Sequence, residues 1–248
     1  MPGGGWVITS NGKLGQETWF QGVGGTYKMG DNFSASSASV DMRITRGTFN
    51  ANGFNITVAR QFYFGDGGVV DPPTVYMGGG TWTTSFSGAN RTLLKVYDNV
   101  TLNPETSTIA ITGTDNFSKT IDGTTGKIFN NLSITGGGTG AIIFTGNNTF
   151  KKITVNAPKT ITFTPGSTQT VGQFVANGTS GNIITLQTGG ATAQLTKTGG
   201  GTIDCSWLSI TAVNVLPLMT WYYGNHSTFV SGTGWLAGLM PNFLAWFL

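Results

Sequence analysis

Charge is what this sequence has least of. Lys, Arg, Asp and Glu make up 9% of its 248 residues, against about a quarter in an ordinary globular domain. The net charge is +3, and Lys151 and Lys152 form the one adjacent basic pair. Nucleic-acid binding requires a basic face, so no nucleic-acid partner is expected. Cysteine is nearly absent. The single Cys205 excludes an intramolecular disulfide. With no His, Asp or Asn pattern nearby to activate it, it reads as a small buried apolar residue rather than a nucleophile. His226 is the single histidine. Without Cys or a neighbouring carboxylate it makes no metal site, so no metal or cofactor is expected; its expected role is a hydrogen bond within the aromatic C-terminal region. The opening MPGGGWVITS lacks a basic segment followed by an apolar one. It is therefore not read as a secretory leader, and the protein is expected either to be made in the cytoplasm or to have lost a leader.

What is present is regular. Glycine contributes 39 residues, apolar residues 38% and aromatics 12%. The apolar runs are periodic, so the chain is not disordered, and no Gly-X-Y period exists, which excludes collagen. The hexapeptide YDNVTL (97–102) has the pattern aromatic or aliphatic, two polar, aliphatic, small, aliphatic. FNNLSI (129–134), FKKITV (150–155) and VGQFVA (171–176) fit it, the last three starting 21 residues apart. A second run follows each: TIAITG (108–113), AIIFTG (141–146), TITFTPG (160–166) and IITLQTGG (183–190). Alternating β-branched and aromatic residues mark strands, and self-similarity near 20 residues marks a repeat architecture. The expected fold is all-β: a single-chain parallel β-helix, or β-solenoid, right-handed by the usual crossover rule. Leu132, Ile153 and Val175 are expected in one sheet.

The expected organisation has three parts. Residues 1–25 are a Gly-rich N-terminal arm or cap. Residues 26–212 form the solenoid, with an excursion at 65–77, because two consecutive prolines cannot sit inside a ladder. Residues 213–248 form an aromatic cap and an apolar assembly tail. The tripeptide GGG followed by Thr recurs at 78–81, 136–139 and 199–202. None is followed by the Lys-Ser/Thr of a phosphate-binding loop, so these glycines are read as corners needing positive φ. The tail LAGLMPNFLAWFL (236–248) is uncharged but interrupted by Pro241 and shorter than the roughly 20 residues of a membrane-spanning helix. Trp235, Leu236, Leu239, Met240, Phe243, Leu244, Trp246, Phe247 and Leu248 are read as an assembly interface, since such an apolar end must be covered. Trp221, Tyr222 and Tyr223 form a cluster that is either the plug of the last coil or a glycan contact.

CSWLSI (205–210), a further copy of the hexapeptide, followed by TWYYGNHS and GTGW, resembles a C-terminal signature of β-solenoid structural proteins from bacteriophages and their prophage relatives. The likeness covers residues 95–235 in texture and is specific over 205–235. The apolar tail and the first 90 residues depart from it. The resemblance implies a virion structural or tail-associated protein, with a trimer as the oligomer it suggests. The apolar tail implies copies of the same chain (a homo-oligomer) or other particle proteins as partners, and the aromatic cluster a host surface glycan. The alternative class is a cell-surface adhesin or extracellular filament subunit. A polysaccharide-degrading β-helix enzyme is a lesser alternative. A glycosidase needs two facing carboxylates, yet the second slot of the hexapeptide reads Asp98, Asn130, Lys151, Gly172, and no Asp or Glu occurs between residues 123 and 203. No catalytic residue is therefore assigned.

Overall fold

The computed structural model describes residues 5–11, 17–35, 37, 39–68 and 70–238. They form 25 strands and no helix. Every strand ladder is parallel, and the turns stack as a β-solenoid of about nine turns. Three faces make up each regular turn. On one, Gly5–Ile8, Thr26–Met29, Thr48–Asn50, Thr74–Tyr76 and Thr101–Asn103 lie side by side as a five-stranded sheet. The next carries Phe33–Ala35, Ile56–Val58, Thr81–Thr84 and Thr108–Ile111. The third carries Thr18–Phe20, Asp41–Ile44, Gln61–Phe64 and Arg91–Val96. Further along, strands such as Lys119–Ile134 and Ile142–Asn156 run round the corners and join the last two faces into one seventeen-stranded sheet.

Alternation decides which side chains enter the coil. In Ile142–Asn156 buried and half-buried residues alternate along each straight run, as a pleated strand with one wet face requires. The inward residues then stack in columns. Trp82, Ile109, Leu132, Ile153 and Phe174 form one, in register from turn to turn. Phe129, Phe150 and Val171 form another. Trp82 joins all three faces: its ring lies 5.9 Å from Phe49, 5.2 Å from Phe62 and 5.5 Å from Phe64. Each fully buried side chain of this size contributes about 1.5–3 kcal/mol.

The columns correct the expected alignment in four places. Ile153 stacks on Phe174, while Val175 pairs with Thr154 and stays half-buried. The sheet is the expected one, but Val175 points to its other side. TIAITG stacks on the FNNLSI turn, Ile109 against Leu132, so it aligns with the hexapeptides and not with the second runs such as AIIFTG. The strand of YDNVTL, Thr101–Asn103, pairs with Thr74–Tyr76 on the five-stranded sheet. CSWLSI likewise stacks through Leu208 and Ile210 on Ile184 and Leu186. Similar hexapeptides occur on different faces because each face imposes the same alternation.

The boundaries also shift. Gly5–Ile8 pairs with Thr26–Met29, and Thr18–Phe20 with Asp41–Ile44, so the described part of the N-terminal arm is a turn of the solenoid. The excursion ends at Pro73: Thr74–Tyr76 is a central strand with Val75 fully buried, and the Pro73 carbonyl accepts from Thr101 N at 3.1 Å. Val213–Leu216, Trp221–Tyr222 and Trp235–Leu236 are further rungs, so the stack reaches residue 236. Trp221 and Trp235 take the buried positions in the last two of these rungs, which changes the texture of the sequence while the parallel pairing continues.

The glycine triplets act in two ways. Gly78, Gly138, Gly199 and Gly201 have positive φ, as corners require. Gly80 and Gly136 allow close approach instead: a Cβ there would meet Phe54 O at 2.2 Å or Gly113 O at 2.0 Å.

Candidate interaction surface

The aromatic cluster at 221–223 divides. Trp221 is fully buried, its indole N–H donates to Leu216 O at 2.9 Å, and its ring packs edge-on to Trp235 at 5.5 Å. It plugs the coil and offers no ring face to a ligand. Tyr222 and Tyr223 are half-buried. Tyr223 stacks on Phe229 at 5.7 Å, and Phe229 is 37% exposed. Of the expected assembly residues, Trp235 is buried against its own chain and Leu236 is half-buried. Leu239, Met240, Phe243, Leu244, Trp246, Phe247 and Leu248 lie outside the described residues. His226 stacks on Trp207 at 4.3 Å, a ring contact where a hydrogen bond was expected.

A surface that the sequence did not announce lies on the third face. Trp19, Arg43, Tyr63 and Lys95 hold equivalent outward positions in four successive turns. The Arg43 guanidinium lies 5.0 Å from the Trp19 ring and 4.5 Å from the Tyr63 ring. Lys95 Nζ is 4.9 Å from the Tyr97 ring and ion-pairs with Asp122 in the next turn. Cations above ring faces are attracted by the ring quadrupole. The four residues are unevenly spaced in sequence, so only the register brings them into line.

Beside this stripe is a charge network. Asp41 is fully buried. Its two oxygens accept from Arg60, and it also accepts from Gln61 at 2.7 Å and Arg43 at 3.0 Å. Burial raises the Asp41 carboxyl, but the Arg60, Gln61 and Arg43 bonds outweigh it and hold the group below the ordinary carboxylate range. Asp115 and Asp122 are lowered in the same manner, against burial, chiefly by Lys119 and Lys95 respectively.

Buried lysines serve the corners. Lys159 donates to Gly137 O and Gly138 O at 3.2 and 3.1 Å, and Lys127 to Asp98 O and Val100 O at 2.9 and 2.8 Å. Burial pushes both ammonium groups down, with opposing attraction from Asp115 and Asp98 respectively. Lys197 is ringed by the carbonyls of Thr198, Gly199 and Gly200. These cations satisfy carbonyls that the corners leave without ladder partners.

Carboxylates have similar duties. Asp31 accepts from the amides of Ser10 and Asn11, Glu105 from Gly78 N, and Asp115 from Gly88 N. A groove of about 440 Å³ lined by Gln173, Lys197, Gly200 and Asp204 holds one carboxylate, and Asp204 accepts from Thr202 Oγ1 at 2.8 Å. Among the described residues, no group of three or more His, Cys, Asp or Glu could hold a metal ion.

Large exposed apolar side chains occur at both ends of the stack and also between them, at Val70, Tyr76, Phe117, Ile128 and Ile183. Trp6 (44%), Val7, Trp19 and Val23 lie in the first turns; Leu218, Met219, Phe229 and Val230 (62%) lie in the last. No family model, curated protein or solved structure matches the chain.

Proposed function

We propose that this chain is a non-enzymatic structural protein of a phage particle, a tail, fibre, spike or surface decoration component, that assembles with copies of itself and with other particle proteins. The observation that carries this reading is the exposed apolar surface: a stack of low charge that leaves large apolar side chains exposed in its first and last turns and at Val70, Tyr76, Phe117, Ile128 and Ile183 between them. Such patches mark association surfaces. The C-terminal likeness to phage β-solenoid proteins points the same way. Asp31, Asp41, Glu105, Asp115 and Asp122 are occupied with amides and cations, and the Asp204 groove lacks the second acid that glycoside hydrolysis needs. The place of action is then the virion, filled from a cytoplasmic pool.

The stripe of Trp19, Arg43 and Tyr63 favours a second reading, an adhesin or extracellular filament subunit whose flat aromatic face meets a surface glycan. Tyr222 and Tyr223 offer a lesser contact of that kind. Fractionating producing cells separates the two. Peptides of this chain in pelleted particles support the virion reading. Their recovery only from the washed cell envelope overturns it in favour of the adhesin.

A further inference from the structure

Solenoid ends are hazards, because each presents unpaired strand edges and the open end of an apolar column. Natural proteins blunt such edges with charge or proline. Among the described residues, the two end strands carry neither charge nor proline. Gly5–Ile8, sequence GWVI, is bonded on one side only, to Thr26–Met29. Trp6 heads the inward column of Tyr27, Phe49 and Val75, with one ring face on Tyr27 at 5.2 Å and the residue 44% exposed. At the other end Thr228–Phe229 is bonded only to Leu208–Thr211. Phe229 closes the inward column of Leu186 and Ile210 and is 37% exposed. From Cys205 onward the sequence holds no Lys, Arg, Asp or Glu.

We propose that copies of this chain stack head to tail, with the Phe229 end of one on the Trp6 end of the next. The partner is a second copy for three reasons. All ladders are parallel, so a copy in the same orientation continues the stack in the same sense. One heterologous contact covers both apolar ends, whereas a two-fold contact between like ends leaves the other end in water. Neither end strand, Gly5–Ile8 on the first face nor Thr228–Phe229 on the third, carries a charge that would oppose a join. Such a contact does not close on itself and yields a filament. This deepens the assembly reading above and rests on it only for the partner being a copy.

The test uses the full chain and two variants, Trp6→Lys and Phe229→Lys, with Val7→Lys and Val230→Lys as milder substitutions at the same ends. Circular dichroism confirms that each keeps its β signal. Light scattering of the wild type shows a mass that climbs with concentration in multiples of the 26.0 kDa chain. Each variant alone is a monomer. An equal mixture of the two forms a dimer, because each supplies the end that the other has lost. A monomeric wild type overturns the proposal, as does a Phe229→Lys protein that still dimerises through like ends, or a mixture that stays monomeric. A monomeric chain that is still found in particles overturns the stacking and leaves the virion reading in place.

Discussion

Arg60 grips Asp41 across the step between two turns, each of its two donors taking one carboxylate oxygen. Asp41 is fully buried, and Arg60 is about one-fifth exposed. Removing the acid leaves Arg60, Arg43 and Gln61 without their shared acceptor. Breaking a buried pair costs about 3–5 kcal/mol, and the partial exposure of Arg60 places Asp41→Ala near the lower bound, about 3 kcal/mol. Urea unfolding of the variant measures this.

The same acid sets an acid limit. Asp41, Asp115 and Asp122 are all held below their ordinary range. A lowered folded value gives stability that is present above the unfolded value, about 3.9, and is lost as pH falls through the folded one. Stability is therefore flat from neutral pH down to about pH 5 and falls below about pH 4. Asp41→Asn is less stable at pH 7 and loses less on acidification. Equal pH slopes for the variant and the parent would show that Asp41 contributes nothing to the acid limit.

Trp82→Ala removes the side chain that touches Phe49, Phe62 and Phe64. Its indole N–H also donates to Met77 O at 2.9 Å. The expected loss is about 3–5 kcal/mol, seen as a lower denaturation midpoint.

Two glycines give a matched test of close packing. A Cβ at Gly146, where φ is +74°, would lie 1.3 Å from Thr124 O; one at Gly189 meets nothing within 4 Å. Gly146→Ala should cost more than about 2 kcal/mol, the left-handed conformation alone accounting for roughly 1–2. Gly189→Ala should stay within about 0.5 kcal/mol of the parent. Thermal melts of both distinguish steric need from composition.

Burial pushes the Cys205 thiol up to about 12, with a backbone bond from Ala176 opposing it. A thiol that stays protonated is a poor nucleophile. Native protein at pH 8 should resist alkylation by iodoacetamide and react fully once unfolded in urea. Rapid native labelling would show the C-terminal turns to be open.

Asp98→Asn and Asp122→Asn bear on catalysis. Asp122 is paired with Lys95, so its loss should lower stability modestly and leave no activity to lose. A polysaccharide-cleaving wild type inactivated by either change would overturn the non-enzymatic proposal.

The sequence by itself determined the strand type, the parallel repeat and the inward side of most strands, because alternation is local and every face imposes it. Phe129, Phe150 and Val171 could be aligned from their spacing alone. The sequence also marked Cys205 as buried and the GGG-Thr triplets as corners. Only the tertiary structure decided which runs share a face. Corner lengths vary from turn to turn, so Ile109 stacks on Leu132 and Leu208 on Ile184 although their hexapeptides look alike. The same uneven corners hid the Trp19–Arg43–Tyr63–Lys95 line, the Arg60 grip on Asp41 and the exposed end residues Trp6 and Phe229. Each of those depends on what lies one turn above or below, a neighbour that the order of residues does not reveal.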